Sequence, residues 1–127
     1  MKPYLLIILI CFTSLTSCDK EGVNYATIEG NYTGTFHRGV NTSDVALQLV
    51  NNEFSGGSTE GYNKFPAICK GTYTIKNKEI IFNNTCIWTA EFDWTLILSG
   101  TWNYTFKNNT LTLNNSFGDV YILNKQD

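Results

Sequence analysis

The stretch that decides the fold is WTLILSGTWNYTF, residues 94–106. Its large apolar side chains share one parity, and that alternation is the period of a β-strand. These residues are Trp94, Leu96, Leu98, Trp102, Tyr104 and Phe106. Gly100 interrupts the apolar face at a point where a barrel strand needs a sharp bend. The alternative is a hairpin turn at Ser99-Gly100, but it would place leucines opposite polar residues on one face. The alternation therefore favours one long bent strand with these residues pointing inward.

Shorter alternating runs, broken by Asn and Gly, predict seven more strands, and no window has the three-and-four spacing of a helix. These strands lie at residues 32–37, 45–49, 54–56, 68–76, 79–84, 110–114 and 119–124. Tight turns are expected at Asn51-Asn52, Asn77-Lys78 and Asn108-Asn109, because asparagine tolerates the left-handed conformation of two-residue hairpins.

Longer connections are expected at residues 38–43, 59–66, 85–93 and 115–118. Alternate connections of a meander share one end, so the long loops should gather at one rim. Closing the sheet removes its two exposed edges. We therefore predict an all-β fold, an up-and-down eight-stranded antiparallel barrel whose first strand begins at the tight-turn end.

The first residues have the pattern of a secretory signal. Met1-Lys2 gives a positive start, Leu5–Phe12 is an apolar run, and small polar residues follow to Ser17. The run is too short for a bilayer span, which needs about 20 residues. The sequence predicts a signal peptide over residues 1–17, a tether over residues 18–27 and a barrel domain over residues 28–127.

The end of this segment, Leu15-Thr16-Ser17-Cys18, resembles the lipobox of bacterial lipoproteins. The resemblance implies cleavage before Cys18 and acylation of its sulfur and amine, which would give stable membrane anchoring. It also implies a location in the bacterial cell envelope, on the outer membrane, at its periplasmic or surface face. An ordinary secretory signal that ends in cysteine is the alternative.

Two cysteines then belong to the barrel, and in an exported domain two cysteines most often form a disulfide. A turn at Asn77-Lys78 pairs residues whose numbers sum to 155, so Cys69 faces Cys86. Theirs would be a non-hydrogen-bonded pair, with α-carbons about 4.5 Å apart. We expect a Cys69–Cys86 disulfide, with two free thiols as the alternative.

The order of the strands and Gly30-Asn31-Tyr32 at the start of the first resemble the lipocalin and fatty-acid-binding group. Lipocalins have Gly, any residue, Trp at this point, and here Tyr32 replaces the tryptophan. The chain is also similar to small bacterial lipoproteins with lipocalin-like domains. Gly71-Thr72-Tyr73 and the late Leu-Thr-Leu run resemble META-type envelope domains, but no helix is predicted where that fold has one.

Catalytic and metal chemistry have little support in the sequence. The formal charge is −2 with no basic run, which argues against nucleic acid as a partner. His37, the single histidine, has no ligands nearby in sequence, and Glu91 and Asp93 fit a solvated loop better than an acid–base pair. We predict a non-enzyme without a metal or a cofactor.

Function is expected at the barrel interior and the rim. An eight-stranded barrel is just wide enough to be filled by side chains or to hold one small ligand. Candidate ligand-binding or rim residues are Tyr62, Phe65, Trp88, Phe92, Trp94, Trp102 and Tyr104. The first hypothesis is a monomeric, lipid-anchored binding protein that holds a small apolar ligand in the barrel mouth. The alternative is a packed barrel that acts on an envelope protein through its rim loops, as an interaction or inhibitor module.

Overall fold

The computed structural model describes residues 28–59 and 65–127. The signal peptide, Cys18 with its tether, and Tyr62 lie outside the described residues. The described chain forms eight strands and one short 3₁₀ helix, Trp94–Leu96. The strands are β1 Gly30–Arg38, β2 Asn41–Val50, β3 Glu53–Ser58, β4 Cys69–Lys76, β5 Glu79–Asn84, β6 Gly100–Lys107, β7 Thr110–Asn114 and β8 Val120–Lys125.

Each strand pairs antiparallel with the next, and β8 returns to β1, so the sheet is a closed up-and-down barrel. The predicted fold class is confirmed. Gly30 pairs with Leu49, next to the Asn51-Asn52 turn, so β1 does begin at the tight-turn end. No helix in the described part of the chain is long and apolar enough to cross a membrane.

Three of the tight turns lie where the sequence predicts them. Asn51 and Asn52 both have φ near +60°, as do Asn108 and Asn109, which fits turns that match the twist of the paired strands. The prediction of a long connection over residues 38–43 is wrong. Arg38 pairs with Asn41, so β1 and β2 are joined by a two-residue turn, Gly39-Val40. Asn41, Thr42 and Ser43 have the polarity of a loop, yet they belong to β2 where that strand lies at the barrel's solvated end.

The prediction of one strand over residues 94–106 is wrong for its first half. Asp93 accepts a hydrogen bond from the Thr95 amide (3.0 Å) and begins a 3₁₀ turn, which leaves Trp94 59% exposed rather than inward. Gly100 has φ +74°, so the chain turns there and pairs with Phe82 as the first residue of β6. Neither the bent strand nor the hairpin alternative at Ser99-Gly100 occurs.

The core fills the barrel with side chains from every strand. Of the residues predicted to point inward along 94–106, Leu98 and Trp102 are buried, and Leu96, Tyr104 and Phe106 pack half-buried against the core. Tyr32, which replaces the lipocalin tryptophan, donates its hydroxyl to the carbonyl of Ile28 at 2.6 Å near the tight-turn end. Burial, and then the neighbouring Tyr73, raise the pKa of Tyr32 to about 12, so the hydroxyl stays protonated.

The disulfide between Cys69 and Cys86 is present. The hairpin register is the predicted one, with Tyr73 opposite Phe82 and Ile75 opposite Ile80. The α-carbons of the two cysteines are 6.4 Å apart, however, wider than the expected pair. Cys69 has φ +59° and β5 ends at Asn84, so the regular ladder stops before the cysteines.

Candidate functional site: the long-loop end

Two loops meet across the mouth of the barrel and close it. Ala67 donates its amide to the carbonyl of Leu96 (3.0 Å) and accepts from the Leu98 amide (2.8 Å), which makes a short parallel bridge. Ile97, which forms the bridge with Ala67, is buried, and so are Ile68 and Leu98, which follow Ala67 and Ile97 in sequence. We call residues 65–68 and 96–98 the plug.

Asn84, the last residue of β5, ties the plug to the barrel wall. Its side-chain amide donates to the carbonyls of Ile68 (2.6 Å) and Leu98 (3.3 Å), one on each loop. Its oxygen accepts from the Cys86 amide and the Trp88 indole, both at 3.1 Å. A single amide therefore fixes both halves of the plug and the start of the β5–β6 loop.

Aromatic rings occupy the space under the plug. Phe65 stands edge-on to Phe36 with ring centroids 5.3 Å apart, and Phe36 lies 4.8 Å from Tyr121. Tyr121 in turn contacts Trp102, two strands away, at 5.2 Å. These contacts join the plug to side chains from β1, β6 and β8. The described geometry is that of a packed interior with a covered mouth.

Above this packing, Arg38 connects three segments. Its guanidinium donates to both carboxylate oxygens of Asp119, at 2.8 and 2.7 Å, and to the hydroxyl and carbonyl of Thr95, at 3.0 and 2.9 Å. Asp119 is 2% exposed and also accepts from the Asn115 side-chain amide (3.1 Å). Arg38 lies on β1, Thr95 in the β5–β6 loop, and Asn115 and Asp119 in the β7–β8 loop. We call these four residues the Arg38 clamp.

The charges of the clamp stabilise one another. The hydrogen bonds from Arg38, and then from Asn115, lower the pKa of Asp119 against the opposing effect of burial. The hydrogen bond to Asp119 is also the largest cause of the raised pKa of Arg38. Hydrogen bonds from Thr95 lower the pKa of Asp93, whose carboxylate is 3.7 Å from the guanidinium. The carboxylates beside Arg38 are therefore ionised at neutral pH.

The most exposed large apolar side chains also lie at this end. Val40 is 97% exposed, Ile87 100%, Trp94 59% and Phe117 85%. They come from three connections at this end: the β1–β2 turn, the β5–β6 loop and the β7–β8 loop. We call these four side chains the tip residues. Large apolar patches on a protein surface mark interaction sites, which makes this end of the barrel the candidate.

The six predicted ligand-binding or rim residues that the structure describes do not converge on one site. Phe65 belongs to the plug, while Trp88 and Phe92 stack on each other at 4.9 Å and are half-buried. Trp102 is buried and donates its indole to the carbonyl of Ser99 (3.0 Å). Tyr104 lies toward the opposite end, with its hydroxyl 3.5 Å from the carbonyl of Asn77.

Other concave and titratable features lie away from the mouth. A groove of about 410 Å³ runs over the outer wall of β2, β3 and β4, between Gln48 and Lys70. His37 faces Thr35 with its Nε2 atom 2.7 Å from the hydroxyl. In residues 28–59 and 65–127, no group of three or more His, Cys, Asp or Glu side chains is placed to hold a metal ion.

Sequence reasoning missed Arg38, Asp119 and three of the four tip residues, Val40, Ile87 and Phe117. Arg38 and Asp119 are 81 residues apart, and a hydrogen-bonded pair at that separation leaves no local pattern. Val40 and Phe117 had a weak signal, since each is an isolated apolar residue beside a glycine in a polar turn.

No protein-family model matches this chain, and no curated protein and no solved structure matches it either.

Proposed function

We propose that this chain is a lipid-anchored protein of the bacterial cell envelope whose packed barrel binds another protein through the tip residues. The observation that supports binding at the surface rather than inside the barrel is the plug, which covers the mouth above rings already in contact. A small apolar ligand in the mouth would have to displace the Ala67 hydrogen bonds and the Phe65 ring. The packed-barrel alternative from the sequence is therefore favoured.

The direction of the barrel supports the same function. Ile28, the first described residue, lies beside Tyr32 near the tight-turn end, whereas the tip residues lie at the other end. An anchor at Cys18 would then hold the barrel with the tip residues facing away from the membrane. Exposed Trp and Phe are enriched in the centre of protein interfaces, where they are buried on binding.

Site-specific photocrosslinking in the source cells tests the function. Benzoylphenylalanine replaces Trp94 or Phe117 in one pair of variants, and Ile81 or Ile122, exposed on the barrel wall, in a control pair. We expect both tip positions to crosslink to the same protein and the wall positions to give no such product. Equal crosslinking from tip and wall would contradict the proposal. A stoichiometric apolar molecule found by mass spectrometry in the natively purified protein would also contradict the proposal.

The anchor has a separate test. Replacing Cys18 with Ser removes the sulfur that takes the lipid, so we expect the protein to move from the membrane fraction to the soluble fraction. Cys11→Ser, within the predicted signal peptide, is the matched control and should leave the distribution unchanged. A membrane fraction that stays the same in Cys18→Ser would contradict lipid anchoring, because a diacylglycerol and a further acyl chain are what hold such a protein firmly.

A further inference from the structure

Three of the tip residues lie one or two residues from a member of the Arg38 clamp. Val40 follows Arg38 by two residues, Trp94 precedes Thr95, and Phe117 is two residues before Asp119. Phe117 is held further by its amide, which donates to the Asn115 side chain at 3.0 Å. A surface fixed in this way before binding loses less conformational entropy when a partner covers it.

The charge around these three side chains is negative. The described residues of the connections at this end include no lysine or arginine, and the single Arg38 guanidinium faces two carboxylates, Asp119 at 2.7 Å and Asp93 at 3.7 Å. Glu91 and Asp93 are exposed beside Trp94. Most described lysines lie toward the tight-turn end instead, namely Lys76, Lys78, Lys107 and Lys125.

We infer that the clamped tip residues bind a protein surface with an apolar pocket bordered by lysine or arginine side chains. This rests on the proposed function and names its partner class. An anionic lipid surface would be repelled by Glu91 and Asp93. In a symmetric dimer through the same surface, the carboxylates of the two copies would oppose each other. A basic partner makes favourable contacts with both the apolar and the acidic groups.

The experiment measures the affinity of the full mature lipoprotein, in detergent, for the protein that Trp94 and Phe117 crosslink, produced recombinantly. One variant combines Glu91→Lys with Asp93→Asn; the asparagine removes the charge and keeps an oxygen for the Thr95 amide. The control is Lys76→Glu with Lys78→Glu at the opposite end. We expect the first variant to weaken binding about tenfold, and the control to change it less than about twofold. Raising the salt from about 50 to 500 mM should weaken wild-type binding by a similar factor.

The outcomes separate this inference from the function it rests on. If Trp94→Ala with Phe117→Ala abolishes binding while the charge variant and salt have no effect, the tip residues bind a protein but the partner is not basic. If the tip variant binds like wild type, both ideas fail. Co-sedimentation with phosphatidylglycerol vesicles that needs Trp94 and Phe117, or a dimer in analytical ultracentrifugation that the same variant dissociates, would overturn the basic protein partner.

Discussion

Replacing Arg38 with Ala should lower the free energy of unfolding by about 3 kcal/mol, the lower end of the cost of breaking a buried ion pair. The side chain of Asp119 is only 3% exposed, and without the guanidinium its carboxylate keeps one hydrogen bond, from Asn115. The lower end applies because the Arg38 side chain is itself 29% exposed. Urea unfolding followed by tryptophan fluorescence measures the loss, and Lys107→Ala, at an exposed lysine, is the matched control.

A double variant distinguishes the contribution of the ion pair to stability from that of the packed aliphatic part of the Arg38 side chain. Adding Asp119→Asn to Arg38→Ala removes the unpaired charge, so the double variant should regain part of the lost stability. In a double-mutant cycle this is a coupling energy of about 1 to 3 kcal/mol. Purely additive effects would contradict the clamp. Hydrogen exchange should also show lost amide protection at residues 93–98 and 115–119, with β4 and β5 unaffected.

The clamp also predicts how stability depends on pH. The folded state lowers the pKa of Asp119, so the stabilisation is complete above the unfolded pKa, near 4, and is lost as the pH falls through the lower folded value. Asp93, whose pKa is lowered by Thr95, contributes in the same direction. Without Arg38 the burial of Asp119 raises its pKa, so the difference in stability between wild type and Arg38→Ala should be largest at neutral pH and shrink as the pH falls. A difference that grows on acidification would contradict this assignment.

The sequence determines most of the barrel because its strongest signals are local. Asn51-Asn52 and Asn108-Asn109 occupy turns that require positive φ, and they set the register of the hairpins on either side. In the β4–β5 hairpin, apolar parity and cysteine spacing agree on one register, which is why the disulfide is predicted correctly. Each of these features depends on residues close together in the chain.

The long-loop end is harder to predict because it is built from distant residues. Residues 94–98 alternate like a strand, yet Ile97 and Leu98, of opposite parity, are both buried, and Ile97 forms the parallel bridge with Ala67 in the plug. The partner that makes this possible is 30 residues away in sequence, as the positions of Ala67 and Ile97 show. The Arg38 clamp likewise depends on distant residues, because Arg38 and Asp119 are 81 residues apart. Alternation alone cannot distinguish a strand from a loop whose contacts are supplied by another loop.

Replacing Gly34 with Ala should destabilise the barrel by about 3 kcal/mol or more, at or beyond the upper end of the usual cost of overpacking. A β-carbon at Gly34 would lie 1.9 Å from the carbonyl oxygen of Ile122 and 2.8 Å from the α-carbon of Leu123, so β1 and β8 would have to move apart. Gly57→Ala on β3 is the matched control, because a β-carbon there meets nothing within 4 Å. That variant should be neutral or slightly stabilised, since alanine restricts the unfolded chain more than glycine does. Urea unfolding followed by circular dichroism compares the two. Equal stability would mean that β1 and β8 do not approach this closely at Gly34, and the barrel would then have to close by a wider pairing.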